Sequence, residues 1–148
     1  MKDDTSLGVA QLLEMSQAEL DQLFRSRPAG PIPAGRAEGT LIALPGTPLA
    51  RMIAPIARLL AWRGKVFRPD GKLLKNRVSP FDIRAIAAQV YRAPSWLDGR
   101  ESIVLDYSRT SFVAHKIRDE IREVSPGVYL GVVYWGRRKT VNFSLVFS

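Results

Sequence analysis

Residues 117–147 have the sequence IRDEIREVSPGVYLGVVYWGRRKTVNFSLVF, which contains a run of β-strand patterns separated by turn signals. Ser125-Pro126-Gly127 and Gly136-Arg137-Arg138-Lys139 are the turns, and the runs between them are rich in β-branched and aromatic residues. Connections this short join antiparallel neighbours, so the stretch predicts a β-meander. The predicted strands are 117–124, 128–135 and 140–147.

The same pattern continues upstream. Pro69-Asp70-Gly71 is a hairpin turn, and Ser79-Pro80 and the loop 93–99 end two further strands. The predicted upstream strands are 39–44, 62–68, 72–78, 82–92 and 102–107. A long antiparallel meander leaves two exposed edges unless it closes on itself. We therefore predict a mainly β fold, an eight-stranded antiparallel up-and-down barrel.

A helical segment follows the first strand. Residues 47–61 carry apolar side chains at helical spacing, with Pro55 among them. Proline removes a helical N–H and fits best near the start of a helix, so the segment predicts a short helical pair. The pair fits a lid over one barrel end, a contact with a membrane surface, or a helix simply packed on the sheet.

The N-terminal part of the chain predicts a helical arm. Ser16-Gln17-Ala18-Glu19 is a capping box, and a helix that starts there ends near Arg27, because the Pro/Gly-rich linker 28–35 cannot continue it. We divide the chain into the arm with its linker, residues 1–36, and a single barrel domain, residues 37–148. The arm is expected to pack outside the barrel or to plug one end.

The composition excludes several kinds of chemistry. The chain has no cysteine and a single histidine, His115, so thiolate metal sites and histidine clusters are excluded. A Gly-x-Ser-x-Gly nucleophile motif and Gly-rich phosphate loops are absent from the sequence. We therefore predict no metal and no cofactor. His115 is interpreted as a solvated side chain on a connecting segment rather than a haem ligand or general base.

The sequence shows no targeting signal. Lys2, Asp3 and Asp4 precede no apolar signal-peptide core, and no stretch approaches about 18 uninterrupted apolar residues. A cytoplasmic protein is expected.

The positive charge is concentrated in one segment. Between Arg51 and Arg92 the sequence has ten basic residues against Asp70 and Asp82, and this excess equals the formal net charge of +8 of the whole chain. Such a field attracts phosphate backbones, an anionic membrane surface or an anionic ligand, or is a solvated face. Few aromatic side chains lie between these charges, so nucleic acid is the less favoured partner.

Several strands are apolar on both faces. In 128–135, Val128, Leu130 and Val132 alternate with Tyr129 and Val133. One face is expected to line a pocket inside the barrel, and the other needs a cover. The arm, the helices or a second subunit in a homodimer would provide that cover.

The order of a strand, a short helical pair and a run of antiparallel strands resembles the calycin-type barrels, the lipocalins and fatty-acid-binding proteins, which carry apolar ligands. The stretches 62–67 (WRGKVF), 117–122 (IRDEIR) and 129–131 (YLG) are similar to small uncharacterised bacterial proteins of the GXWXG domain type. The resemblance covers 39–148 in architecture and only these stretches in motif. The chain lacks the Gly-x-Trp of lipocalins and the Arg-x-Tyr carboxylate clamp of fatty-acid-binding proteins.

Strand alternation indicates candidate ligand-binding residues. A polar residue that shares a strand face with apolar ones, as Asp119 does with Ile117 and Ile121, is expected to be buried with a partner. A few such groups in an apolar cavity are typical of a small-molecule site. Each candidate residue is also explained by an ion pair inside the barrel or by a cross-strand pair on the surface. The candidates are Arg84, Tyr91, Asp106, Asp119, Tyr129 and Asn142.

The favoured function is binding of a hydrophobic or amphipathic small molecule, lipid-like or natural-product-like, in the barrel cavity. One alternative is a cofactor-independent barrel enzyme of isomerase or cyclase type, in which Asp or Tyr is the acid or base. That alternative predicts a buried carboxyl with a raised pKa. A second alternative is nucleic-acid or anionic-membrane binding through residues 51–92.

Overall fold

A computed structural model describes residues 8–42, 62–78, 83–111 and 114–147, and the predicted helical pair at 47–61 lies outside them. The helices are α1 (Val9–Leu13) and α2 (Gln17–Ser26). The strands are β1 (Gly35–Ile42), β2 (Trp62–Phe67), β3 (Leu73–Val78), β4 (Ile83–Pro94), β5 (Glu101–Asp106), β6 (Ile117–Ser125), β7 (Val128–Trp135) and β8 (Arg138–Phe147).

The strands form a closed antiparallel barrel in the order β1 to β8, which confirms the predicted up-and-down fold. Closure is made by β1, whose residues 35–38 pair with β2 and whose residues 37–42 pair with β8. This shared role explains why β1 begins at Gly35, four residues before the predicted start at Gly39. We call the end at which β1, β3, β5 and β7 finish the upper end, and the opposite one the lower end.

Alternation along the strands gives two separate apolar clusters. The inner cluster lies inside the barrel and includes Phe67, Ile121 and Phe143. Close packing inside is illustrated by Gly131, because a Cβ there would lie 2.2 Å from Cζ of Phe143. The outer cluster joins α1 and α2 to the outside of β6 and β7. The two-faced strands are therefore covered on the outside by the N-terminal helices.

The helix α2 begins as the sequence predicts. Ser16 Oγ accepts a hydrogen bond from the backbone N–H of Glu19, and the Glu19 carboxylate accepts one from the N–H of Ser16. Leu20 and Phe24 of this helix are buried in the outer cluster. None of the described helices has the length and apolar character needed to span a membrane.

The linker after α2 lies across the lower end of the barrel. The Ala29 carbonyl accepts a hydrogen bond from the N–H of Glu123, and the Pro31 carbonyl accepts one from the Tyr129 hydroxyl. Arg92 donates to the Gly30 carbonyl at 2.8 Å. These partners belong to β4, β6 and β7, so the arm packs outside while its linker covers the lower end.

Candidate functional site

An ion pair crosses the inside of the barrel. Lys65 projects from β2 and Asp119 from β6, which lie on opposite walls because each is four strands from the other in either direction. The distance between Lys65 Nζ and Asp119 Oδ2 is 3.3 Å, and the two side chains are only 3% and 4% exposed. The pair therefore bridges the lumen.

Tyr107, directly after β5, completes a polar cluster with this pair. Lys65 Nζ donates a hydrogen bond to the Tyr107 hydroxyl at 2.6 Å. The same ammonium lies 5.3 Å from the centre of the Tyr107 ring and 5.4 Å from that of Phe143. Aromatic faces attract cations, so both rings help to hold a charge that has left water.

Asp119 is only partly satisfied. Its Oδ2 faces Lys65, whereas Oδ1 is buried without a hydrogen-bond partner. A buried acceptor of this kind is costly, so Oδ1 is the polar atom of this cluster that requires an explanation. The outer β8 residue Ser144 is the other side chain in the described ranges with a buried unpartnered polar atom.

Burial and mutual attraction act against each other in the pair. Burial raises the pKa of the Asp119 carboxyl, and the neighbouring Lys65 opposes that rise. Burial alone would lower the pKa of Lys65, but Tyr107 and Asp119 outweigh it and the pKa lies above its ordinary value. Lys65 therefore keeps its positive charge, whereas burial acts against the negative charge of Asp119.

The cross-lumen pair divides the interior into two parts. Below it, Phe67, Ile121 and Leu145 are at most 1% exposed. Above it, Ala114 is also buried, and Leu41 and Ile117 pack against the inner cluster but remain partly exposed, as Phe147 does at the lower end. We call this region, between the pair and the upper end, the upper lumen. It has apolar walls and a polar floor made by Lys65, Tyr107 and Asp119.

Two of the six candidate residues face the inside, at different levels. Asp119 belongs to the floor of the upper lumen. Tyr129 lies below it, where its hydroxyl donates to the Pro31 carbonyl at 2.7 Å and burial raises its pKa to about 12. Tyr129 thus ties the linker to the lower end.

Three other candidates lie on the outer surface of the sheet. Tyr91 and Asp106 are joined by a hydrogen bond of 2.7 Å on the exposed side of β4 and β5. Asn142 is buried under α2, where it accepts from Gln17 and donates to the Gly131 carbonyl. For Arg84 the structure describes only the backbone, which pairs with Arg77. The candidates therefore do not converge on one site.

Sequence reasoning missed Lys65 and Tyr107. Lys65 was counted among the basic residues of the 51–92 segment and so interpreted as part of a charged surface. Lys65 lies two residues before Phe67 in β2, and this spacing is the signal that places both side chains on the same apolar face. Tyr107 likewise shares a face with Ile103 and Leu105 of β5.

His115 lies on the connection between β5 and β6, as predicted. With Ser108, Arg109, Thr110 and Ser111 it lines a surface pocket of about 460 Å³ at the upper end of the barrel. The described ranges contain no group of three or more side chains suited to hold a metal ion.

Much of the basic segment is engaged within the protein where its side chains are described. Lys65 lies inside the barrel. Arg92 contacts Glu101 at 2.9 Å as well as the linker, and Arg68 lies 3.4 Å from Asp70. The excess of charge in the sequence is therefore larger than the free positive charge that these residues present.

Comparison with solved structures supports the barrel. The chain is similar to one described as "Crystal structure of protein from Thermomonospora curvata", with a TM-score of 0.65 and 17% sequence identity over 95% of each chain. At this identity the likeness shows the fold alone. No protein-family model matches the chain, and no curated protein matches it.

Proposed function

We propose that the barrel binds a hydrophobic or amphipathic small molecule in the upper lumen. The observation that carries this proposal is the unpartnered Asp119 Oδ1 in the floor of an otherwise apolar region. Small-molecule sites are mostly apolar, with a few polar groups that fix the orientation of the ligand. Lys65, Tyr107 and Asp119 would supply those groups.

The architecture is compatible with this role. An eight-stranded barrel is wide enough either to be filled by its own side chains or to hold one small ligand. The linker covers the lower end, so a ligand would reach the polar floor from the upper end. On this proposal the protein works in the manner of the calycin-type carriers that its strand order resembles.

Binding can be tested with phenylnaphthylamine, a neutral dye that fluoresces in apolar surroundings. We expect its emission to rise with the native protein and with Lys116→Trp, and to stay low with Ile117→Trp. Ile117 faces the upper lumen, whereas its neighbour Lys116 is exposed, so the two variants add the same ring inside and outside. If native protein does not raise the fluorescence emission of the dye, the proposal is contradicted.

Acid–base catalysis in the same place is a second candidate. It is favoured by the carboxyl of Asp119, whose pKa burial raises, together with the Tyr107 hydroxyl held by an ammonium. The Tyr107 hydroxyl contacts both the Lys65 ammonium and the Asp119 carboxyl, so it is the group that we assign to exchange a proton with a bound ligand.

Proton exchange would separate this candidate from simple binding. A ligand that co-purifies with the protein would be released, incubated with fresh protein in heavy water and analysed by mass spectrometry. Deuterium incorporation at carbon with native protein, but not with Tyr107→Phe, would support catalysis. No incorporation with either protein would leave binding as the function.

A further inference from the structure

The polar floor of the upper lumen is balanced in charge but not in hydrogen bonds. Lys65 and Asp119 face each other at 3.3 Å, so one positive and one negative charge offset each other inside the barrel. Asp119 Oδ1 nevertheless has no donor. A ligand could thus improve the site by donating a hydrogen bond, without bringing any charge.

A charged ligand would upset this balance. A carboxylate placed on the floor would bring a second negative charge close to Asp119, and both would be buried around one ammonium. An ammonium ligand would create the opposite excess beside Lys65. Burying an uncompensated charge costs far more than burying a neutral polar group that is hydrogen-bonded.

We infer that the upper lumen selects neutral amphiphiles whose polar end donates a hydrogen bond to Asp119, such as alcohols or primary amides, and rejects fatty acids. This inference rests on the proposed binding function and names the chemical class of the ligand. It separates the protein from a carrier of ionised fatty acids, for which a lone cation would be the suitable floor.

The first test compares ligands that share a chain length and differ in the polar end. Decanol, decanamide, decanoate and decylamine would compete with phenylnaphthylamine at neutral pH, where the acid and the amine are ionised. We expect decanol and decanamide to bind at least about tenfold more tightly than either ion. Equal affinity, or a preference for decanoate or decylamine, would overturn the inference.

The second test reverses the selectivity. Asp119→Asn removes the negative charge and keeps nearly the same shape, so the Lys65 ammonium is left without its carboxylate. Decanoate would then provide the missing charge, and we expect its affinity to exceed that of decanol. A folded Asp119→Asn protein that still prefers decanol would contradict the inference.

The two proposals fail in different ways. If native protein does not bind phenylnaphthylamine, the binding function itself is refuted. If it binds the dye but does not discriminate between decanol and decanoate, only the ligand class is refuted. The comparison in native protein decides the matter even if Asp119→Asn does not fold, as a circular dichroism spectrum would show.

Discussion

The two faces of β6 carry buried charges in two different states. On the inner face, Asp119 pairs with Lys65 across the lumen and keeps one oxygen unpartnered. On the outer face, Arg122 is fully buried and makes a two-bonded contact with Asp98, at 2.7 and 2.8 Å. Asp119 and Arg122 are only three positions apart, but one oxygen of Asp119 lacks a hydrogen-bond donor, whereas the Arg122 guanidinium is paired with a carboxylate through two hydrogen bonds.

The outer network holds separate parts of the chain together. Arg122 also donates to the backbone carbonyls of Phe24, Arg100 and Glu101. These carbonyls belong to the end of α2 and to the segment from the β4–β5 loop into β5. The Arg122 network therefore joins α2, the β4–β5 loop and β5 to β6.

Neighbouring contacts on the outer face extend the same arrangement. Glu120 accepts hydrogen bonds from Ser95 Oγ and from the backbone N–H of Trp96, and it pairs with Arg118. The centre of the Trp96 ring lies 4.1 Å from the guanidinium carbon of Arg118 and 4.6 Å from that of Arg137. The contrast teaches that burial of charge alone does not indicate a functional site, and that an unpartnered atom in a buried pair is the feature that requires an explanation.

The largest expected effect is the loss of the outer network. Arg122→Met removes the two hydrogen bonds to the Asp98 carboxylate and those to three backbone carbonyls, so the free energy of unfolding should fall by about 3–5 kcal/mol in urea denaturation. Arg100→Met is the control, since that exposed guanidinium contacts the same carboxylate at 3.0 Å. It should cost at most about 1 kcal/mol. Similar losses for the two variants would show that the buried guanidinium of Arg122 stabilises the fold no more than the exposed one of Arg100.

Replacing the inner pair should act in the opposite direction. In Lys65→Met/Asp119→Leu both charges leave the lumen together, and we expect stability unchanged or raised by about 1–4 kcal/mol. Each single substitution should lower stability, because the remaining charge is buried alone. Denaturation of the three variants measures this difference. A double variant as unstable as the sum of the singles would show no coupling between the two charges and would contradict this expectation.

Acid should weaken the outer network. The Arg122 guanidinium holds the pKa of Asp98 well below its ordinary value of 3.8. The folded pKa lies below the unfolded one, so the stabilisation is complete above the ordinary value and is lost as the pH falls below it. The melting temperature should therefore drop on acidification, and the part of the drop due to Asp98 should be missing in Asp98→Asn. Parallel curves for both proteins would refute this.

The smallest effect concerns the helix cap of the outer region. Ser16→Ala removes the acceptor for the Glu19 N–H, and we expect a loss of about 1 kcal/mol in the free energy of unfolding. Binding of phenylnaphthylamine should be unchanged, because α2 packs outside the barrel. Ser26→Ala, at the other end of α2, provides the control with a smaller loss. Loss of dye binding in Ser16→Ala would show that the two regions are coupled.

Local signals explain which strands were predicted correctly. The β6–β8 meander follows from turn residues and alternating apolar side chains, which act between near neighbours in the chain. The start of β1 was misplaced because its first four residues pair with β2 and its last with β8. Residues 43–61 separate β1 from β2, and most of the chain separates it from β8, so no turn residues indicate where β1 begins.

Candidate residues were harder to predict than strands. Alternation separated Asp119 from Glu120 and Arg122, but it does not say which face is inside. Because the outer face of β6 and β7 is covered by α1 and α2, both faces carry buried residues. Asn142 was therefore a sound candidate for burial, although its partner is Gln17 of α2.

The sequence by itself determined the strand order, the capped helix α2 and the absence of thiolate chemistry, because turns, caps and composition are properties of short segments or of the whole chain. Only the tertiary structure decided that Lys65 meets Asp119, since these residues lie on opposite walls and meet when the sheet closes. Closure of the sheet also places Lys65 inside the barrel rather than on the charged surface. The candidate site thus arises from long-range geometry, which no local pattern contains.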